Sequence, residues 1–302
     1  MSTHQLERFH QQGRPARPIA RRASLHRSGH ACLPLGARQS RSAAVPSLFD
    51  MRLRSLRRER AARKGAELFL NERAFEDCLD RIGIQKRRFE RALLIGCPDR
   101  EWPKRMAAVA DSVEVRDPGP SFAASAGGHV IVEDAWEPTE SAFDLVLSIG
   151  TLDTVNDLRL ALRLIRYAMP GEGLFIGALS GGDTLPQLRM AMRAADALSG
   201  AAAPHIHPRI EASALAPLLS EAGFTNPVAD VDRVAVSYRS FDRLVGDIRA
   251  MAATNILAAR PHFLGRAQRA AAAQAFRAAG DGERTVETFE ILHFAGWTPK
   301  EG

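Results

Sequence analysis

Residues 143–188 read FDLVLSIGTLDTVNDLRLALRLIRYAMPGEGLFIGALSGGDTLPQL. The run Phe143 to Ile149 is apolar except for Asp144 and Ser148, as in a short strand buried on both faces. Asn156-Asp157 then offers a helix N-cap. Leu158, Ala161, Leu162, Ile165 and Met169 follow at helical spacing, so the segment predicts an amphipathic helix. Pro170-Gly171-Glu172-Gly173 is a turn, and Leu174 to Leu179 reads as a second buried strand. Strand, helix and strand in this order form a βαβ unit, whose crossover implies a parallel pair.

Working outward, Arg91 to Gly96, Ser112 to Asp117 and His129 to Asp134 predict three more strands. Residues from Phe49 to Arg81 have helical periodicity, as do 187–198, 213–222, 241–251 and 261–279. Asn226 to Tyr238 and Thr285 to Trp297 predict two long C-terminal strands, and Gly223 suits the stop of the helix before them. The expected fold class is α/β: a three-layer α/β/α Rossmann-like sandwich around a mostly parallel seven-stranded sheet with an antiparallel C-terminal hairpin.

The same residues carry a resemblance. The FDLV strand, Val155-Asn156-Asp157, the PGEGLF turn and Gly181-Gly182-Asp183-Thr184-Leu185 resemble class I S-adenosylmethionine-dependent methyltransferases. More narrowly, they resemble the branch of the mitochondrial complex I assembly factor that acts as an arginine hydroxylase; the biotin-pathway methyltransferase is more distant. Residues 227–255, PVADVDRVAVSYRSFDRLVGDIRAMAATN, resemble that branch throughout. The resemblance spans about residues 45–298. It implies an S-adenosylmethionine site at the C-terminal ends of strands one to four, where open α/β sheets bind ligands.

The resemblance assigns four cofactor-binding candidates. Gly96 stands at the start of the glycine-rich loop after the first strand. Asp117 stands where the family places an acid on the ribose hydroxyls, although an Asp before Pro118-Gly119 equally suits a turn. Asp134 and Ala135 resemble the pair that reads the adenine edge, and capping a strand end is the other reading of Asp134. The loop departs from the pattern. Leu94 replaces its acid, Pro98 its second glycine and Arg100 its third. Proline donates no amide proton, and Arg100 is expected to crowd the cofactor. Asp153-Thr154 stands where the branch has a His-Trp pair, so no catalytic residue is assigned. Asp183 or Thr184 is expected to cap the helix starting near Leu185, with a substrate-facing role as the other reading. His205 and His207 lack a third ligand, and no metal site is expected.

The chain has 302 residues, 45% hydrophobic and 25% charged, enough for one sizeable core. No apolar run reaches the roughly 18 residues that span a bilayer. The net charge of +6 sits in residues 1–44, which hold eight arginines and one acid. That segment lacks hydrophobic periodicity and reads as a disordered tail, with 45–302 as the methyltransferase-like domain. It is a transit peptide, a bacterial tail or an early-called start. The last is favoured, because Val45-Pro46-Ser47-Leu48-Phe49-Asp50 resembles the family's beginning. The basic cluster Arg52, Arg54, Arg57, Arg58, Arg60, Arg63 and Lys64 reads as a solvated helix face, or as a docking surface for an acidic partner. No aromatic platform accompanies the positive charge, so no nucleic-acid partner is expected.

Three cysteines without metal spacing, and arginine in large excess over lysine, suggest a reducing compartment and a GC-rich bacterial genome. The expected place is the bacterial cytoplasm, or the mitochondrial matrix if residues 1–44 are a transit peptide. The expected function is that of an S-adenosylmethionine-dependent methyltransferase-family protein acting on a protein substrate. The alternative is a non-catalytic assembly factor of the complex I type with weakened or lost cofactor binding.

Overall fold

The structure is a computed structural model that describes residues 47–200, 202–260 and 263–300. The expectations for residues 1–44 lie outside the described residues. Seven strands form one sheet: β1 (Phe89–Ile95), β2 (Ala110–Asp117), β3 (His129–Val130), β4 (Leu145–Ile149), β5 (Leu174–Ser180), β6 (Thr225–Tyr238) and β7 (Thr285–Trp297). Their order is β3-β2-β1-β4-β5-β7-β6. The first five are parallel, and β7 runs antiparallel between β5 and β6. This is the expected α/β/α sandwich with its antiparallel edge.

Alternation along β1 shows why both faces are covered. Leu93 and Ile95 pack with α5 (Leu158–Tyr167) and α7 (Ala212–Glu221). Ala92 and Leu94 pack on the other face with α2 (Phe69–Ile84) and α3 (Trp102–Met106). Successive side chains of a strand point to opposite faces, so a strand between two helical layers is apolar throughout. Phe75 and Trp102 stack at 4.3 Å in the second layer, and the Trp102 indole donates to Glu72. A third cluster joins α6 (Pro186–Ala197), α8 (Phe241–Ala250) and α9 (Arg266–Ala278) to the outer strands.

Several expected elements change. The helical stretch from Phe49 divides into α1 (Met51–Lys64) and α2, separated at Gly65, whose φ is +86°. Helix α9 starts at Arg266, not at 261. Strand β3 keeps two of its six expected residues. Beyond Val130 the chain turns, with the Ala135 amide donating to the Val132 carbonyl, and Glu133 swings into full burial. Neither Asp183 nor Thr184 caps α6. Leu185 holds the cap position at φ +65°, and the Thr184 hydroxyl instead donates to the Glu290 carbonyl and accepts from the Glu290 amide. Asp183 points outward and pairs with Arg233. The paired glycines bring this loop against neighbouring carboxylates: a Cβ on Gly181 would lie 2.4 Å from Glu290, and one on Gly182 2.4 Å from Glu211.

The other motif is also structural. Asp157 caps α5 by accepting from the Leu160 amide. The side chain of Asn156 clamps Phe49, accepting from its amide and donating to its carbonyl. Asp50 caps α1 through the Leu53 amide. The Val-Asn-Asp motif thus fixes where α1 enters the molecule.

A candidate cofactor crevice filled by two arginines

At the C-terminal ends of β1 and β4 the backbones approach closely. Gly96 has φ +82°, and a Cβ there would lie 2.3 Å from the Ile149 carbonyl oxygen. Only glycine fits this approach. Leu94 is buried in the core beneath, so an acid is absent from that point of the crevice. Arg100 does not crowd the site as expected. Its side chain is 75% exposed and reaches the neighbouring Glu101, because the loop turns it outward.

The crevice is filled from elsewhere. Helix α1 packs against α4 (Pro120–Ser125) and sends two side chains inward, one turn apart. Arg58 meets Asp117 side-on, with Nε and Nη2 2.8 and 2.5 Å from the two carboxylate oxygens. Arg58 also lies over the Phe122 ring at 5.2 Å. Arg54 grips Glu133 with both terminal nitrogens, at 2.7 and 2.8 Å, and donates to the Thr151 carbonyl. Burial alone would lower the Arg54 guanidinium. The charge and hydrogen bonds of Glu133, helped by Asp153 and Asp117, outweigh that and raise its pKa. The basic cluster is therefore not a uniform solvated face: two of its members are buried ion pairs. Gly119 makes room for one of them, since a Cβ there would lie 2.8 Å from the Arg58 Cβ.

Asp117 has no acceptor to spare. One oxygen takes Arg58 and the Gly119 amide; the other takes Arg58 and the Cys97 amide. A carboxylate offers about four acceptor positions, and all four are used. Ribose hydroxyls would have to displace Arg58. The Ala135 amide is committed to Val132. One oxygen of Asp134 accepts from the Asn156 and Asp157 amides. The loop after Gly96 is tied to Asp117 through the Cys97 amide, and Asp134 to the Val-Asn-Asp motif; as arranged here these groups do not fit an S-adenosylmethionine molecule. Glu133, Arg54 and Arg58 went unassigned in the sequence. Their partners lie 79 and 59 residues away, and no local pattern separates them from five other basic residues.

A third buried pair sits beyond β4. Arg209 and Asp153 meet at 3.1 Å with side chains 5% and 9% exposed. Arg54, Arg58, Asp153 and Arg209 border a cavity of about 130 Å³ that reaches Ser180, Thr184 and Glu290. His207 lines it, and burial with nearby Arg209 depresses its pKa to about 4. Its Nε2 accepts from the Ile256 amide, and His205 pairs with Asp196. Among the described residues no cluster suits a metal ion. Cys78 approaches His293, which meets Asp77, yet burial pushes the Cys78 thiol up to about 12, so it is no thiolate nucleophile. Cys97 is likewise pushed up to about 12 by burial and Asp117.

Comparison with known proteins gives a consistent result. The chain is 30% identical to the arginine-hydroxylase NDUFAF5, mitochondrial, of Homo sapiens, over 93% of this chain and 86% of the relative. Identity to the Mus musculus protein of that name is also 30%, over 85% and 79%. A malonyl-[acyl-carrier protein] O-methyltransferase of Xylella fastidiosa is 32% identical over 53% of each chain. Among solved structures, the YcgJ protein from Bacillus subtilis superposes with a TM-score of 0.51 at 12% identity, covering 75% of this chain and 100% of that one. A putative methyltransferase from Bacillus halodurans gives 0.51 at 10%, covering 74% and 100%. No family model matches the chain.

Proposed function

This chain belongs to the NDUFAF5 branch of the class I S-adenosylmethionine-dependent methyltransferase superfamily, and from that membership we propose that it works without the cofactor, as a protein-binding assembly factor of the respiratory complex I type. The observation that carries this reading is the saturated Asp117 carboxylate under Arg58, with Arg54 and Glu133 closing the crevice beside it. A cationic sulfonium would gain nothing from these arginines. Displacing them would strand two fully buried carboxylates, at a cost of several kcal/mol each. Pro98 removes one further amide donor from the loop.

A second reading keeps the chain as an S-adenosylmethionine-dependent methyltransferase acting on a protein substrate. The unengaged oxygen of Asp134 favours it, and it requires α1 to leave the crevice. We place the protein in the bacterial cytoplasm, with the mitochondrial matrix as the alternative. Among the described residues no helix is long and apolar enough to cross a membrane.

The test is replacement in cells whose own copy has been deleted. Deletion should lower assembled complex I. Both the unaltered chain and Ala135→Arg, which places bulk at the exposed position where the family reads adenine, should restore it equally. Unchanged complex I after deletion would overturn the reading. So would methyl transfer to protein that the unaltered chain supports and Ala135→Arg abolishes.

A further inference from the structure

Behind the crevice, a second, half-open cavity of about 380 Å³ lies between α6 and α8, far above the roughly 10–15 Å³ that admits one water. Leu188, Met192, Phe241, Val245 and Ile248 give it apolar walls. Arg209, Arg249 and Arg269 also line it, and no acidic side chain does so among the described residues. Arg269 is already paired with Asp242, outside the cavity.

Arg209 is the unusual member. Its side chain is 95% buried by the 5% exposure of its ion pair, yet Asp153 takes only Nη1. Nε is buried with no hydrogen-bond partner. The Nε–Nη2 edge is the one by which Arg58 holds Asp117 and Arg73 holds Asp232. That edge matches the two oxygens of a carboxylate. A buried donor left without an acceptor is costly, so it marks a place where a ligand acceptor is missing. The Thr254 hydroxyl, in the same cavity, is also buried without a partner.

We infer that this cavity binds a small carboxylate with an apolar tail. The carboxylate accepts from the Nε–Nη2 edge of Arg209 and from Thr254, and the tail lies between α6 and α8. The neutral His207 leaves the cavity without a competing charge of its own at neutral pH. The inference is separate from the proposed function: a cofactor that entered the crevice would overturn that reading and leave this one standing.

Octanoate and 1-octanol, equal in chain length, are the probes. Calorimetric titration of the full chain should show octanoate binding at least about tenfold tighter than octanol, the effect of one charge-assisted contact. Arg209→Met should erase the difference, and Arg209→Lys, a cation without the two-donor edge, should leave it reduced. Because Arg209→Met strands Asp153, the variant combining it with Asp153→Asn removes both members of the pair and should lose the preference equally. Val245→Trp, which fills the apolar end, should weaken both probes. Equal affinity for the two probes, no octanoate binding, or an undiminished preference in the double variant would overturn the inference.

Discussion

Arg58 and Asp117 make the most consequential side-chain contact in the molecule, and its energetics can be separated by substitution. Asp117 is fully buried. Arg58→Met alone leaves that charge with only backbone donors, and should cost about 3–5 kcal/mol in denaturant unfolding. Arg58→Met with Asp117→Asn removes the charge with its partner, and should recover more than half of the loss. A double variant no more stable than Arg58→Met would show that the pair is not a unit. His207 gives a pH signature. Its folded pKa, about 4, lies below the unfolded value of 6.5. The unfolded chain therefore binds its proton first. The stability this group contributes is intact above about pH 6.5 and is lost as pH falls toward 4, by at most about 3 kcal/mol. His207→Phe should flatten that part of the stability–pH profile, and an unchanged slope would show that His207 is not buried as a neutral ring.

Elements were legible in the sequence where a period or a cap marked them, and illegible where distant carboxylates decided the outcome. The strand, helix and strand of β4, α5 and β5 fold as read, because Asp157 is a local cap and the strands are bounded by turn residues. The end of β3 was not legible, since Glu133 leaves the strand for an arginine 79 residues earlier. Helix α6 shows the same limit. Its cap is not on the preceding loop: the Glu287 carboxylate, from β7, accepts from the Gln187 and Leu188 amides. Burial raises the Glu287 pKa, so these hydrogen bonds offset a desolvation cost. Glu287→Ala should destabilise by about 1–3 kcal/mol through the orphaned amides. Glu287→Gln, which retains a carbonyl acceptor, should cost less than half as much. Equal losses in urea unfolding would remove the capping role. The seven basic residues of α1 are the clearest case of what sequence withholds, since only Asp117 at the end of β2 and Glu133 in the turn after β3 select Arg54 and Arg58 for burial.

At the scale of the whole molecule, the folded unit is tied to α1 at its beginning. Phe49 bridges to Leu257 and is clamped by Asn156, and the Asp50 amide donates to the Ile256 carbonyl. A chain starting at Val45 keeps every one of these contacts. Its melting temperature should stay within about 3 °C of the full chain, equivalent to about 1 kcal/mol at this size. A larger fall would show that residues 1–44 contribute to the fold. The central claim concerns the crevice that α1 fills, and the direct measurement is calorimetric titration of the intact chain with S-adenosylmethionine. Saturated acceptors at Asp117 and the Arg54–Glu133 pair predict a Kd of about 1 mM or weaker, with Arg100→Gly making no difference because that side chain faces solvent. Micromolar binding would contradict the account, because it would mean that the cofactor displaces α1 at little cost.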